Sequence, residues 1–333
     1  MPSTLVIGGF FGDEGKGKII SYLALHDDPA IVVRGGAGPN AGHTIRQGDE
    51  TFKVRMLPSG FLNKNARVMI GPGVVVDPDV LQKEIDDFGA RGRAFIDRRC
   101  GIIEESHIAR DSRGELKEKI GSTGSGTGPA NADRAMRTLR LAGDFDSLSP
   151  YVTDVPRQIN DALDANQHVL IEGTQGTFLS LWHGTYPFVT SKDVTASGIC
   201  ADVGLGPTRV DDVLVVFKAY VTRVGTGPLA GEMSSEETGS RGWSEFGTVT
   251  GRERRAAEFD FNLARRAVML NGATQACVTK LDVLYPDCAG KRLFEELDGE
   301  ARSFIKNIED KLGVPVTLVG TGPMIEDIVD RRG

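Results

Sequence analysis

Gly8-Gly9-Phe10-Phe11-Gly12-Asp13-Glu14-Gly15-Lys16-Gly17-Lys18-Ile19 separates two segments of different periodicity. Before it, Thr4-Leu5-Val6-Ile7 is a short apolar run that reads as a buried strand. After it, Ile19 to Leu25 carries apolar residues at helical spacing. The glycines therefore fall where a strand turns into a helix, and there backbone N–H groups and a helix N-terminus can face an anion. Gly12 to Lys18 fits the opening of G-x-x-x-x-G-K-[ST], but Ile19 stands where the magnesium-binding hydroxyl belongs. Asp13 and Glu14 lie inside the loop. They would repel phosphates unless a cation lies between them or a carboxylate takes a proton during the reaction. The stretch reads as a phosphate loop with a built-in acid/base or metal group. The plainer alternative is a turn that only closes a strand onto a helix.

A second loop decides between them. Ala30-Ile31-Val32-Val33-Arg34 reads as another strand, and Gly35-Gly36-Ala37-Gly38-Pro39-Asn40-Ala41-Gly42-His43-Thr44 follows it. A lone loop histidine is more often a surface residue than a catalytic one. Beside GDEGKGK it reads as a partner in phosphate chemistry. Further on come GSTGSGTGPANADRAMR, EGTQGTFLSLWHGTYPFVTSKDVTAS, VTRVGTGP, TVTGRERR, TKLDVL and GTGP, in that order. Together these segments resemble the adenylosuccinate synthetase family, which joins aspartate to inosine monophosphate (IMP) using GTP. The resemblance runs from Val6 to about Arg331, and the compact length and GGAGPNAGHT resemble its short archaeal branch.

Composition limits the other function classes. With 333 residues, 40% hydrophobic and 26% charged, the chain suits a globular protein. A net charge of −7 argues against a general nucleic-acid or anionic-membrane surface, so phosphate binding must be local. No apolar run approaches a spanning length, and Met1-Pro2-Ser3 leads into a strand without a secretory pattern. Cys100, Cys200, Cys277 and Cys288 are far apart and form no C-x-x-C pair, which points to reduced thiols in a cytoplasmic protein. Cys200 and Cys277, in apolar surroundings, are expected in the core.

The alternation of strands and helices predicts an α/β fold, a mostly parallel central sheet flanked by helices, and the resemblance implies that it carries a P-loop-like GTP site in a single large domain, where length alone allows one domain or two. Excursions are expected near 110–150 and 228–247. Val68 to Val76 reads as a strand and turn, and Pro78 to Phe88 as a helix capped by Asp77 or Asp79. Asp111 to Lys119 reads as a solvated helix. Gly121 to Gly128 is either a surface loop or a phosphate cradle of hydroxyls and N–H groups, with Arg134 and Arg137 one turn apart on a following helix. Val213 to Val221, the strongest β-branched run, reads as a central strand. Ala276 to Asp282 reads as a strand ending in Lys-Leu-Asp, and Glu300 to Leu312 as the last helix. His183 has no other metal ligand at suitable spacing and is expected to be structural.

The resemblance implies the site residue by residue. Asp13, His43 and Gln175 match catalytic positions. Gly12, Glu14, Gly15, Lys16, Gly17, Arg254, Lys280, Asp282, Gly320 and Gly322 match the GTP site. Asn40, Thr123, Arg137, Gln175, Thr190 and Val224 match the purine monophosphate site, with Arg137 reaching across a homodimer interface. Thr250 and Arg252 match the aspartate site, and Asp13 with Gly42 the magnesium site. Residue chemistry agrees at several points. Arginine suits a planar carboxylate, although a closely spaced charge cluster such as Arg252 to Arg255 is usually a solvated face. Asp282 can accept from both N1–H and the 2-amino group of guanine, a pair that adenine lacks.

Several positions depart from the family. Glu253 interrupts a run that is often four arginines, Val249 stands where longer members often have threonine, and Gly320 where they have serine. Phe10-Phe11 replaces a common Gln-Trp beside the base pocket. The expected reaction is ligation of L-aspartate to C6 of IMP through a 6-phosphoryl intermediate. A phage-type relative acting on dGMP is the nearest alternative. A GTP-binding regulatory module is the alternative of another class, although a switch needs neither an acid nor a carboxylate clamp.

Overall fold

The computed structural model describes residues 2–113, 121–246, 251 and 253–332. Ten strands form one sheet: β1 (Ser3–Gly8), β2 (Ile31–Arg34), β3 (Arg67–Ile70), β4 (Ala94–Asp97), β5 (Val152–Thr153), β6 (Val169–Glu172), β7 (Asp212–Lys218), β8 (Gln275–Thr279), β9 (Val316–Gly320) and β10 (Ile328–Asp330). Their spatial order is β10-β9-β8-β7-β1-β6-β2-β3-β4-β5. All neighbours are parallel except β9 with β10. The expected mostly parallel sheet is present, with the phosphate-loop strand β1 at its centre.

Parallel strands are covered on both faces, so they read as unbroken apolar runs. Leu5 lies opposite Ile171 on one side and Val213 on the other. These side chains share one core with Ile159 of α5 (Val155–Asp164), Ile199 of α6 (Ala196–Val203), Ala264 of α7 (Phe261–Asn271) and Ile305 of α8 (Gly299–Leu312). Val6, Leu170 and Val216 point the other way. They pack with Ile19, Ile20 and Leu23 of α1 (Lys16–His26) and with Leu81 and Ile85 of α2 (Pro78–Asp87). Each fully buried Leu, Ile or Val contributes about 1.5–3 kcal/mol. The two cores thus fix the strand ends from which the loops leave.

The sequence and the structure differ in three places. The run from Val213 does not continue to Val221. It breaks at Ala219-Tyr220 after β7, and Val221–Arg223 then pairs antiparallel with Arg255–Ala257. Asp111 lies in α3 (Glu105–Arg113) and is buried, whereas Ser112 and Arg113 are exposed as expected and 114–119 lie outside the described residues. Asp111 accepts hydrogen bonds from Ser122 Oγ (2.5 Å) and the Gly126 N–H (2.9 Å), which ties the helix to the Gly-Ser-Thr loop. Arg134 belongs to α4 (Thr127–Met136), but Arg137 is its C-cap at φ 65°. The predicted cap of α2 is Asp77, which accepts from the N–H groups of Asp79 and Val80. All four cysteines are free and buried. Among the described residues no helix is long and apolar enough to cross a membrane.

Candidate active site

The site lies at the carboxyl ends of the parallel strands, where loops from neighbouring strands open a crevice. Gly12 to Gly17 follow β1, Asn40 to His43 follow β2, Gln175 follows β6, Lys280 follows β8 and Gly322 follows β9. All of them line one cavity of about 950 Å³. Thr123, Thr190, Val224 and Arg254 line it too. Arg137 is exposed and not part of its wall, and neither Asp282 nor Gly320 reaches its surface. Thr250 and Arg252 lie outside the described residues.

In the phosphate loop the two acids part company. The buried Glu14 carboxylate turns inward and accepts from the N–H groups of Phe10 (3.0 Å) and Gly12 (2.8 Å) and from Lys16 Nζ (2.8 Å). Thr279 Oγ1 donates to the Glu14 carbonyl (2.6 Å), so β8 braces the loop. With Glu14 occupied and buried, Asp13 is the loop acid whose side chain stays partly exposed in the cavity. Gly15 caps α1 at φ 88°, and the first turn of α1 presents unpaired N–H groups to the same space. A side chain at Gly17 would meet His43 Cβ at 2.7 Å, so its hydrogen lets the histidine loop lie against α1.

Asp13, Gln175 and Lys280 occupy the left-handed backbone region, at φ 62°, 56° and 62°. For non-glycine residues this costs about 1–3 kcal/mol each, and it persists where the surroundings over-determine it. Three such residues from three strand ends converge on one cavity.

His43 Nδ1 lies 2.8 Å from Glu172 Oε1 and 2.7 Å from Ser59 Oγ. Glu172 also accepts from the Ser59 N–H (2.6 Å), with Arg34 Nη1 at 3.9 Å. Burial pushes the His43 pKa down, with Glu172 opposing it. Burial would raise the Glu172 carboxyl, but the charges of His43 and Arg34 outweigh it and the net shift is downward. With Nδ1 held, Nε2 is the ring nitrogen left for a ligand.

Asn40 bridges two loops: its Oδ1 accepts from Gln175 Nε2 (3.1 Å) and its Nδ2 donates to Thr190 Oγ1 (3.3 Å). Thr123, exposed, exchanges a hydrogen bond with Ser125. Arg223 is buried with its guanidinium 4.3 Å from the Phe11 ring centroid, and burial pushes its pKa down to about 10. His183 is exposed, and its N–H donates to Ser180 Oγ. At the far end, Asp282 Oδ1 is buried without a hydrogen-bond partner, and burial raises its carboxyl. Lys18 Nζ donates to the carbonyls of Gly322 and Asp327 (both 2.7 Å), fixing the last loop beside it. Burial lowers the Lys18 pKa to about 8.

Two glutamates escaped the sequence reading. Glu172 is the strand-end residue of Val-Leu-Ile-Glu, and a buried acid closing an apolar strand was the available signal. Glu245 accepts from Lys218 Nζ (2.7 Å), Tyr220 Oη (2.6 Å) and Arg254 Nη1 (2.5 Å), with Lys280 Nζ at 3.3 Å. Burial would raise the Glu245 carboxyl, but Lys218, Lys280 and Arg254 hold it far below the usual carboxylate range. Arg254 Nε sits 3.0 Å from Asp13 Oδ2.

Comparison with known proteins fits this geometry. The family model for adenylosuccinate synthetase matches residues 5–146 and 138–288. The chain is 54% identical to the adenylosuccinate synthetase of Methanocaldococcus jannaschii, over 99% of this chain and 96% of that one. It is 54% identical to that of Pyrococcus horikoshii, over 100% and 99%. A fully ligated adenylosuccinate synthetase from Plasmodium falciparum superposes with a TM-score of 0.92 at 26% identity, covering 99% of both chains. A cyanophage S-2L succinoaminodeoxyadenylate synthetase bound to dGMP and dATP superposes at 0.82 and 28% identity, covering 100% and 96%.

Proposed function

The chain belongs to the adenylosuccinate synthetase family of C–N bond-forming ligases, and on that premise we propose that it joins L-aspartate to C6 of IMP at the expense of GTP. The observation that carries the reading is the convergence of Asp13 and His43 on the cavity that the first turn of α1 opens into. Asp13, as carboxylate, takes the N1 proton, which places negative charge on O6. The O6 lone pair attacks the γ-phosphorus, and the bond to the β-phosphate oxygen breaks with its electrons leaving on GDP. His43 Nε2 hydrogen-bonds the transferring phosphoryl oxygens. The aspartate amine then attacks C6, the C6–O6 bond breaks, and phosphate departs with O6 while the amine releases a proton. Gln175, tied to Asn40, orients the base beside Asp13. The N–H groups of Gly15, Lys16 and Gly17 cradle the phosphates.

Asp13 and the Gly42 carbonyl supply hard oxygen donors on the cavity wall. Such a set fits Mg2+, which binds through one or two carboxylates together with substrate phosphates. When bound, the ion supplies charge neutralisation at the phosphoryl group. Thr123, Thr190 and Val224 contact the purine monophosphate. Thr250 and Arg252 take the aspartate carboxylates. Arg137, exposed at the end of α4, reaches the monophosphate of a second copy in a homodimer. The whole chain works as one domain, and with four free thiols we place it in the cytoplasm.

The test is a paired assay. Protein, magnesium, GTP and aspartate are mixed with IMP or with dGMP, and the succinyl-nucleotide is identified by mass. Product from IMP is the expected result. Product mainly from dGMP would move the chain to the chemistry of the cyanophage neighbour, and no product from either would remove the ligase reading.

Donor choice has its own test. Asp282 stands off the cavity wall two residues beyond Lys280, and its unpartnered Oδ1 suits the guanine N1–H and amino donors of a base that extends past Lys280. Asp282→Asn is expected to lower kcat/KM for GTP by about 10²-fold. Xanthosine triphosphate, which presents the complementary pattern, should become the better donor. Steady-state rates with the two donors check this.

A further inference from the structure

Glu245 is not needed to explain the chemistry above, yet it joins three cations that serve different strands. Lys218 ends β7, Lys280 follows β8, and Arg254 precedes the short strand Arg255–Ala257. The carboxylate accepts from Lys218 and Arg254, Lys280 Nζ forms an ion pair with it at 3.3 Å, and Tyr220 Oη donates a further hydrogen bond. Lys218 is 2% exposed, and at contact distance its ammonium is compensated by this acid and by Thr222 Oγ1 (2.8 Å). Arg254 is held twice, by Nη1 on Glu245 and by its backbone N–H on the Glu245 carbonyl (2.9 Å). Its Nε is buried and lacks hydrogen-bond geometry although it lies 3.0 Å from Asp13. Arg254 and Lys280 line the cavity, where a polyphosphate would be met, and the buried Lys218 stands behind them.

We propose that Glu245 is a positioning residue for the phosphoryl donor: it aims Arg254 and Lys280 at the donor and, through Arg254, sets the place of Asp13. The proposal rests on the reading of the cavity as a GTP site. Without the carboxylate, Lys218, Lys280 and Arg254 repel one another, and Arg254 keeps only Asp13 as an anionic partner. Arg254 would then pair more tightly with Asp13 and compete with the proton transfer assigned to it. Loss of Glu245 should therefore damage donor binding and the chemical step, while the purine monophosphate, held by the loops after β2 and β6, is spared.

The test uses the full chain and the variants Glu245→Gln, which keeps size but not charge, and Glu245→Asp, which keeps charge on a shorter arm. Glu245→Gln is expected to raise KM for GTP and lower kcat by about tenfold or more each. KM for the monophosphate should stay within about twofold, and Glu245→Asp should recover part of both losses. Calorimetric titration with GDP should show the same weakening without turnover. Parallel loss of affinity for both nucleotides, a kcat that follows only the folded fraction, or unchanged kinetics overturns the proposal. A wild-type chain that binds GDP but forms no succinyl-nucleotide removes the ligase reading alone, and the GDP titrations still decide the role of Glu245. A wild-type chain that does neither removes both.

Discussion

Asp13→Asn is expected to lower kcat by about 10³-fold while the protein stays folded. The substitution removes the negative charge and with it the ability to accept a proton as a carboxylate. It keeps the shape, and asparagine tolerates the left-handed backbone that position 13 adopts at φ 62°. Arg254 loses one anionic neighbour but keeps Glu245 through Nη1, and Glu14, not Asp13, holds the loop together. The thermal midpoint should therefore move little. Magnesium affinity should fall together with turnover, because the same oxygen donors serve both. Succinyl-nucleotide formation, followed by mass beside a melting curve, separates lost chemistry from lost fold. Turnover near the wild-type rate would mean that N1 gives its proton elsewhere.

The contrast between Asp13 and Glu14 shows how far the sequence could be read. Adjacent acids in a glycine loop announce acid/base or metal chemistry, but not which acid does it. That depends on the Gly12 and Phe10 N–H groups turning toward Glu14, a matter of backbone geometry. The sheet was legible because strands buried on both faces are unbroken apolar runs, as in Leu-Val-Ile of β1 and Val-Leu-Ile of β6. The end of β7 was not, since Ala219-Tyr220-Val221 keeps β propensity across a bend that only tertiary packing imposes. Asp111 reversed the usual expectation for a charged helix because its partners, Ser122 and Gly126, come from a loop beyond the helix. Glu245 was hidden for the same reason: its cations are dispersed along the chain, and only the order β1-β7-β8 makes them neighbours. Local pattern reveals backbone-made sites, whereas charge networks closed across strands need the sheet order.

Glu172→Gln is expected to be the most destabilising conservative change in the site and to slow turnover as well. Glu172 and Arg34 are register partners at the ends of β6 and β2, and neither is exposed. Removing the negative charge leaves the Arg34 guanidinium hydrogen-bonded to the carbonyls of Ala41 (3.0 Å) and Leu57 (3.4 Å), with the more distant Glu84 as its remaining acid. Breaking a buried pair of this kind costs about 3–5 kcal/mol, a large part of the stability of an ordinary domain. The imidazole of His43 also loses the anion that holds Nδ1, so kcat should fall by about 10²-fold through misorientation. The pH dependence gives an independent check. The folded Glu172 carboxyl lies below its ordinary value, so its contribution is present above the unfolded pKa of about 4.3 and is lost as pH falls through the folded value. His43, also shifted down, adds a loss of the same sign as pH falls below about 6.5, because the unfolded chain takes up that proton first. Both proteins should therefore weaken in acid, but the gap between their melting temperatures should close as Glu172 itself becomes protonated. A gap that stayed constant from neutral to strongly acidic pH would mean that the glutamine acts through packing and not through charge.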